Sequence, residues 1–388
     1  MRRKRNKLRI LHCPTYGAGN PGMLAAAERS LGLSSYSVSI EPAMYGFHID
    51  FALNPFRRSW LSLLFREILR WPLLIYALIW SDIVHYNFGQ TIMPQWYGGG
   101  SDDKVGMLKR FTGSCLKLYV TTLERFDLKL LKICGKKIII TYQGDDARQG
   151  DYCRKYFKIT AANYVNCSYY TKESDDNKRR LINEMACYAD EIYAFNPDLL
   201  NILPEHSKFI PYVSVDLGAI DPVNSVNNKK PLVIHAPTHR GVKGTEFIVN
   251  AIEMLQSEGV EFDFELIEGL SHKDALKTYE RADLLIDQLL IGWYGGLAVE
   301  LMAMGKPVIC YIREEDLVFL PDGMRQDLPI INANPENIYE VLKQKIQGES
   351  IESLVDIGKR SRIYVEKWHD PQMISLQLKA NYESILSK

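Results

Sequence analysis

Between residues 8 and 312, short apolar runs alternate with stretches of helical periodicity, and the alternation happens twice, on either side of the polar stretch LGAIDPVNSVNNKK at 217–230. The first series holds LRILHC (8–13), SYSVSI up to Glu41, DIVHYNF (82–88), KKIIITY (136–142) and DEIYAFN (190–196), with helices expected at 23–31, 59–80, 105–134 and 176–189. The second holds PLVIHAP (231–237), FDFELIE (262–268), DLLIDQLL (283–290) and KPVICYI (306–312), with helices expected at 245–257, 271–281 and 296–304. Strands that alternate with helices form parallel sheets covered on both faces. A chain of 388 residues is too long for one core,. The expectation is an α/β protein of two doubly wound, Rossmann-like parallel-sheet domains facing a central cleft. Their bounds are 1–222 and 229–365, and a final helix within 366–388 crosses back to the first. Ligands of such sheets bind outside the carboxyl ends of the strands, so the loops that follow strands are the ones to search.

Charge and cysteine content narrow the function. Lys plus Arg equals Asp plus Glu at 47 each, which leaves no global field to favour nucleic acid,. The seven cysteines are scattered, with no C-x-x-C, and most of them read as small buried apolar groups in a reducing cytoplasm,. The opening MRRKRNK carries five positive charges, and no apolar run of signal-peptide length follows it,. The segment at 59–80 has an uncharged run too short to span a bilayer, and Arg66, Glu67 and Arg70 share one helical face,. It reads as a helix packed on the domain core. An interfacial helix is the alternative, and with the basic N-terminus it would suit peripheral attachment to an anionic inner leaflet.

Gly17, Gly19 and Gly22 of GAGNPG match G-x-G-x-x-G after a strand and before a helix, with Glu41 closing the next strand,. Alone this suggests NAD(P) and an oxidoreductase or epimerase. Pro14, Thr15 and Tyr16, however, separate the strand from the first glycine, where a dinucleotide turn is tight. The other reading is a sharp backbone turn at the cleft rim.

The second series holds a fuller constellation. In HAPTHRGVKGTE (235–246) a strand runs into a loop bearing Arg240 and Lys243, and in WYGGLAVELMAMG (293–305) Gly295 and Gly296 open a helix. Unobstructed amides at a helix N-terminus bind anions. Glu300 lies one turn on, placed to accept from a ribose diol, while Arg240 and Lys243 would hold a diphosphate. Cleaving a sugar–phosphate bond develops charge on the diphosphate, which fixed cations and amides stabilise. No D-x-D metal-chelating pair occurs in the sequence, so metal-free chemistry is expected.

These residues resemble the donor domain of GT-B glycosyltransferases, family 4 in particular. GWYGGLAVELMAMGKPVI is similar to that family's E-x-F-G-x-x-x-x-E-A-M-A-x-G-x-P-V-I signature, while DIVHYNFG (82–89) and ITYQGDD (140–146) resemble its D-V-V-H strand and T-x-H-G-x-D loop. The resemblance implies catalytic roles for Arg240, Lys243 and Glu300, and a donor pocket with Thr238, Gly244, Glu268, Tyr294, Gly295, Gly296 and Leu297. It puts Gly17, Gly19, Asn20, His85, Gln143 and Asp146 on the acceptor side. It further implies a retaining, metal-independent hexosyl transfer from a nucleotide sugar to a glycan or lipid-linked acceptor, in surface polysaccharide or glycoconjugate assembly. Two positions depart from the pattern: Gly292 stands where the first glutamate is expected and Gln143 where the loop histidine is. A catalytically silent GT-B binding subunit is therefore a further alternative.

Overall fold

The structure is a computed structural model that describes residues 7–41, 47–56, 60–95, 117–222, 230–270, 272–347 and 350–387. The basic residues 1–6, the start of the helix expected at 105–134 and residues 223–229 of the polar stretch at 217–230 lie outside them.

The chain forms two compact units. One comprises Met1–Gly150, Cys167–Ile210 and Ser375–Lys388; the other comprises Asp151–Asn166 and Pro211–Ile374. The division after Ile210 falls ahead of the polar stretch at 217–230, and residues 151–166 of the first half join the second unit.

The first unit is built on seven parallel strands in the order β3-β2-β1-β4-β5-β6-β7. They are β1 (Arg9–Cys13), β2 (Ser34–Ser39), β3 (Phe51–Ala52), β4 (Ile83–Asn87), β5 (Lys137–Tyr142), β6 (Glu191–Ala194) and β7 (Lys208–Phe209). Leu11 sits opposite Val84, and Val84 opposite Ile138. Runs such as KIIITY are β-branched and apolar without alternation because helices bury both faces of the sheet,. The second unit has five parallel strands in the order β12-β11-β10-β8-β9: β8 (Leu232–His235), β9 (Asp263–Leu266), β10 (Leu284–Ile286), β11 (Val308–Cys310) and β12 (Ile331–Asn332). Its core gathers Val233, Ile248, Leu255, Ile286 and Ile309.

In each sheet the strand order reverses beside the first strand: between β1 and β4 in one unit, between β8 and β10 in the other. At such switch points the loops diverge to opposite faces and leave a crevice.

Several expectations need correction. DLLIDQLL is strand only over Leu284–Ile286; from Asp287 on it becomes the loop that builds the site described below. The long helix expected at 105–134 is interrupted at Arg125, whose φ of 70° places it in the left-handed region before the helix Phe126–Ile133. Among the described cysteines half rather than most are buried: Cys13, Cys153 and Cys310 are, while Cys134, Cys167 and Cys187 are exposed. The helix Trp60–Trp80 does pack on the core, through Arg70, Leu73, Leu74 and Ala77, but its charged side faces inward.

Candidate functional site

The β8–β10 switch point assembles most of the donor-side residues. A backbone link and a packing contact join its loops: the Leu289 N–H donates to the Lys243 carbonyl at 3.0 Å, and Gly244 (φ +77°) lies against the Leu289 and Leu290 side chains. Below them, the buried His235 at the end of β8 ties three elements together. Its Nδ1 lies 2.7 Å from the Ile286 carbonyl and its Nε2 2.8 Å from Thr245 Oγ1. A carbonyl only accepts, so Nδ1 carries the proton and Nε2 accepts from the threonine hydroxyl. Burial pushes His235 down to about 4, against the raising effect of the Ile286 carbonyl, so the ring is neutral at pH 7,.

Above that staple sits Asp287, 1 % exposed and unremarked in the sequence reading. Its Oδ1 accepts from Lys243 Nζ at 2.7 Å, and its Oδ2 accepts the Gly295 N–H at 2.8 Å. Lys243 is thereby aimed at the start of the helix Gly296–Ala303. The Gly295 amide, expected to meet an anion, is already engaged inside the protein. The amides left at that terminus belong to Gly296 and Leu297, which open the helix. Beside Gly296 lies Ser214, whose Oγ is buried without a hydrogen-bond partner and only 3.5 Å from where a Gly296 Cβ would be. A buried, unsatisfied hydroxyl at a helix N-terminus is a donor in search of an acceptor.

The remaining charged residues also come in pairs. Arg240 makes a two-pronged contact with Glu268, at 2.9 and 2.6 Å, on an exposed rim that also holds Thr238. Glu300 is 8 % exposed and accepts from His272 Nε2 at 2.9 Å; that bond raises the His272 pKa. Each of Arg240, Lys243 and Glu300 therefore has a counter-charge or donor holding it in place, from Glu268, Asp287 and His272 respectively. None of these partners follows from local sequence, because they arrive from 28 to 44 positions away.

Two donor-side residues are placed differently from expectation. Tyr294 is wholly buried, and its hydroxyl bonds Tyr364 at 2.9 Å and His369 at 2.8 Å, so it anchors the loop to the helix Ser350–Trp368. Gly292 has φ +94°, and a Cβ there would lie 2.7 Å from Arg313 Nη1. The guanidinium fills the space an acidic side chain would need. It is held by Asp316 at 2.8 Å and the Ile159 carbonyl at 3.0 Å, and it stacks on Phe157 at 3.6 Å.

At the β1–β4 switch point of the first unit, Gly17 and Gly19 take positive φ, and Asn20 Nδ2 donates to the Gly17 carbonyl at 2.9 Å. The glycine-rich turn is packed from above. A Cβ on Gly22 would lie 2.1 Å from the His48 carbonyl oxygen, and one on Gly19 would lie 3.3 Å from the Phe47 ring. Glu41 lies 3.8 Å from Arg66. The glycines thus serve close packing of residues 47–48, and the room a dinucleotide diphosphate needs over them is taken. Gln143 Nε2 is buried without a partner and points at Gly17. Asp146 accepts the Gln143 and Gly144 amides, at 3.0 and 2.6 Å, and burial pushes its carboxyl up to about 6. His85 lies on β4, as its strand motif implies, but inside the core: it is 1 % exposed, bonds Thr141 Oγ1 at 2.7 Å and lies against the His12 ring, tilted to it at 4.8 Å, and its pKa lies well below the ordinary value because of that burial. The neighbour Asp145 is the more engaged acid. It takes the hydroxyls of Tyr169 and Tyr170 and the guanidinium of Arg148, which in turn grips Asp198. Among the described residues, no group of three or more His, Cys, Asp or Glu is arranged to hold a metal ion.

No protein-family model and no curated protein matches the sequence. Solved structures do match the fold. Sucrose-phosphate synthase from Thermosynechococcus elongatus aligns over 98 % of this chain and 99 % of its own, with a TM-score of 0.60 at 13 % identity. The HepE protein of Anabaena, solved with UDP-glucose, aligns over 97 % and 100 % with a TM-score of 0.56 at 12 % identity. The UDP-GlcNAc 2-epimerase of Neisseria meningitidis, solved with UDP-GlcNAc, aligns over 98 % and 100 % with a TM-score of 0.50 at 11 % identity. Two all-parallel α/β units and full-length likeness to these proteins establish that the chain has the GT-B fold.

Proposed function

We propose that this protein is a glycosyltransferase that moves a hexosyl residue from a nucleoside-diphosphate sugar to a glycan or lipid-linked acceptor, in the assembly of surface polysaccharide or glycoconjugate. The observation that carries the reading is the convergence of Lys243, the opening amides of the helix Gly296–Ala303 and the unsatisfied Ser214 hydroxyl at one switch point. A diphosphate has the charge and acceptor count to satisfy all three. Glu300, one helical turn further along, would take the ribose hydroxyls.

The chemistry follows from charge. As the sugar leaves, negative charge grows on the diphosphate, and Lys243 and Arg240 stabilise it by turning from Asp287 and Glu268 to phosphate oxygen. No metal takes part in this scheme. The retaining outcome rests on the family resemblance, as does the class of acceptor. UDP is the nucleotide to test first, since two of the solved likenesses were solved with UDP-glucose and UDP-GlcNAc. Gly292 and Arg313 put a guanidinium where the resembling family has an acid, so the sugar is left to experiment.

A second reading, favoured by the likeness to the Neisseria enzyme, is epimerisation of a UDP-sugar at C2. Incubating the protein with a panel of nucleotide sugars, with and without acceptor glycans and with and without EDTA, separates the two. Release of nucleoside diphosphate that rises with acceptor and ignores EDTA supports transfer. Conversion of the sugar nucleotide at C2 with no acceptor present supports epimerisation, and binding of NAD(H) alone sinks both.

A further inference from the structure

The helix Trp60–Trp80 is amphipathic in the reverse of the usual sense. Its inner side carries the charge: Arg70 is 7 % exposed and bonds the Ile92 carbonyl at 2.5 Å and Glu67 at 2.9 Å, while Arg66 reaches Glu41 and Glu67. Its outer side carries Trp60 (71 % exposed), Leu64 (53 %), Ile68 (56 %), Trp71 (42 %), Ile75 (56 %) and Ile79 (70 %). Those positions follow one another at intervals of three or four, so they form one stripe along all 21 residues, about 30 Å of helix,. The stripe continues onto a neighbour: Trp71 meets the Phe126 ring at 6.1 Å, and the helix Phe126–Ile133 adds Ile133 at 80 % exposure. A patch of this extent on a water-soluble surface marks a partner.

Charge and aromatic content say which one. Among the described residues of 47–95 and 117–137, the carboxylates are those of Asp50, Glu67, Asp82, Glu124 and Asp127. All are 30 % exposed or less, and each bonds a group of the same unit: Arg29, Arg70, Arg9, Arg180 and Tyr86 respectively. Lys129, on the same helix between Phe126 and Ile133, is exposed. In these two stretches the exposed charge beside Phe126 and Ile133 is thus a cation, and no described carboxylate is more than 30 % exposed. The apolar stripe also bears indole rings at its start and middle, with Tyr76 stacked on Trp80 at its end. Tryptophan and tyrosine favour the headgroup boundary of a bilayer. No helix among the described residues is long and apolar enough to cross a membrane, so this one would lie in the plane of the surface.

We infer that the outer face of the helix Trp60–Trp80 docks the first unit onto an anionic lipid surface, with the apolar stripe inserted among the headgroups and Lys129 over their phosphates. The inference stands apart from the proposed activity, because it rests on residues of the first unit alone.

The test is co-sedimentation of the full chain with vesicles of phosphatidylglycerol and phosphatidylcholine, compared with phosphatidylcholine alone. It is run on the wild type and on the triple variant Leu64→Ser, Ile68→Ser, Ile75→Ser. Wild type should bind the anionic vesicles at least tenfold more tightly than the neutral ones, and the variant should lose at least tenfold in that affinity. The variant should keep its melting temperature and its affinity for UDP, which separates failure of docking from failure of the nucleotide site. Equal binding to both vesicles, or undiminished binding by a folded variant, overturns the inference. So does a wild-type dimer that ignores vesicles and that the substitutions turn into a monomer, since the stripe would then serve a second copy of the chain. Should the triple variant not fold, Ile79→Ser alone, at the exposed end of the helix, is expected to cut anionic-vesicle binding at least threefold, and no change there overturns the inference.

Discussion

Lys243 and Asp287 form a buried-edge ion pair, Nζ to Oδ1 at 2.7 Å, whose second carboxylate oxygen holds the Gly295 amide. One side chain therefore fixes both the cation after β8 and the loop that leads into the helix after β10. The two halves of the proposed diphosphate site are thus held side by side, and Lys243 has to exchange the Asp287 oxygen for a phosphate oxygen when the ligand binds.

Removing the linking carboxylate should be costly. Asp287→Ala leaves Lys243 without its counter-charge and the Gly295 amide unpaired, and about 3 kcal/mol of stability should go with it. Asp287→Asn keeps an oxygen for the amide and should cost less than half as much. Urea denaturation of the two variants checks the ordering; equal losses would mean that the carboxylate charge, and not the amide bond, is what matters.

Restoring the acid that the resembling family carries should not restore a site. Gly292→Glu forces a side chain into the left-handed region, 2.7 Å from Arg313 Nη1. Strain and overpacking together predict a loss of about 3 kcal/mol. A Gly292→Glu protein as stable as wild type would show that Arg313 moves aside freely.

Buried histidines give the fold a defined acid sensitivity. Burial lowers both His235 and His369 from 6.5 to about 4, the latter against the raising effect of the Tyr212 carbonyl. In the unfolded chain they take up protons near 6.5; in the folded one they resist until about 4. Their stabilisation is therefore complete above pH 6.5 and is lost as pH falls towards 4, by roughly 3 kcal/mol for each group at most. Asp146 acts in the opposite sense. Raised by burial from 3.8 to about 6, its contribution is complete below 3.8 and is lost as pH rises through 6, so it offsets part of the histidine effect in that window. The urea midpoint should fall between pH 7 and 4.5, and His369→Gln should flatten the fall. A midpoint that climbs over that range would contradict the neutral, buried state of these rings.

Ser214 supplies a subtler check. Its unsatisfied hydroxyl beside Gly296 has no structural bond to lose. Ser214→Ala should leave the melting temperature within a degree or two of wild type, while UDP affinity falls several-fold, about 1 kcal/mol for one hydrogen bond. Calorimetry and a thermal melt on the same sample decide it; an unchanged affinity would take Ser214 out of the site.

How far the sequence alone reaches depends on the range of the interaction. The alternation of KIIITY-type runs with helical periods exposes both parallel sheets, because burial on two faces leaves a purely local signature. Three of the four edge strands, β3, β7 and β12, have two residues each and carry no such signature. Lys243, Glu300 and the glycines of 295–296 are visible through loop and helix-start chemistry. Asp287, His272 and Ser214 are not, since what distinguishes them is who they meet across the fold. Tyr294 and His85 show the converse. Their residue types invite a functional reading, and only the surrounding packing reveals two core groups. For the helix Trp60–Trp80 the periodicity separates a charged face from an apolar one, yet it cannot say which of them turns inward.

The central claim is that the β8–β10 switch point binds a nucleoside diphosphate. Its most direct test is isothermal titration of UDP and GDP into wild type, Lys243→Gln and Glu300→Ala, each shown by its melt to be folded. The account predicts binding of at least one of the two nucleotides to wild type and at least a tenfold loss in each variant, about 1.4 kcal/mol. Wild-type affinity retained in both folded variants would contradict it.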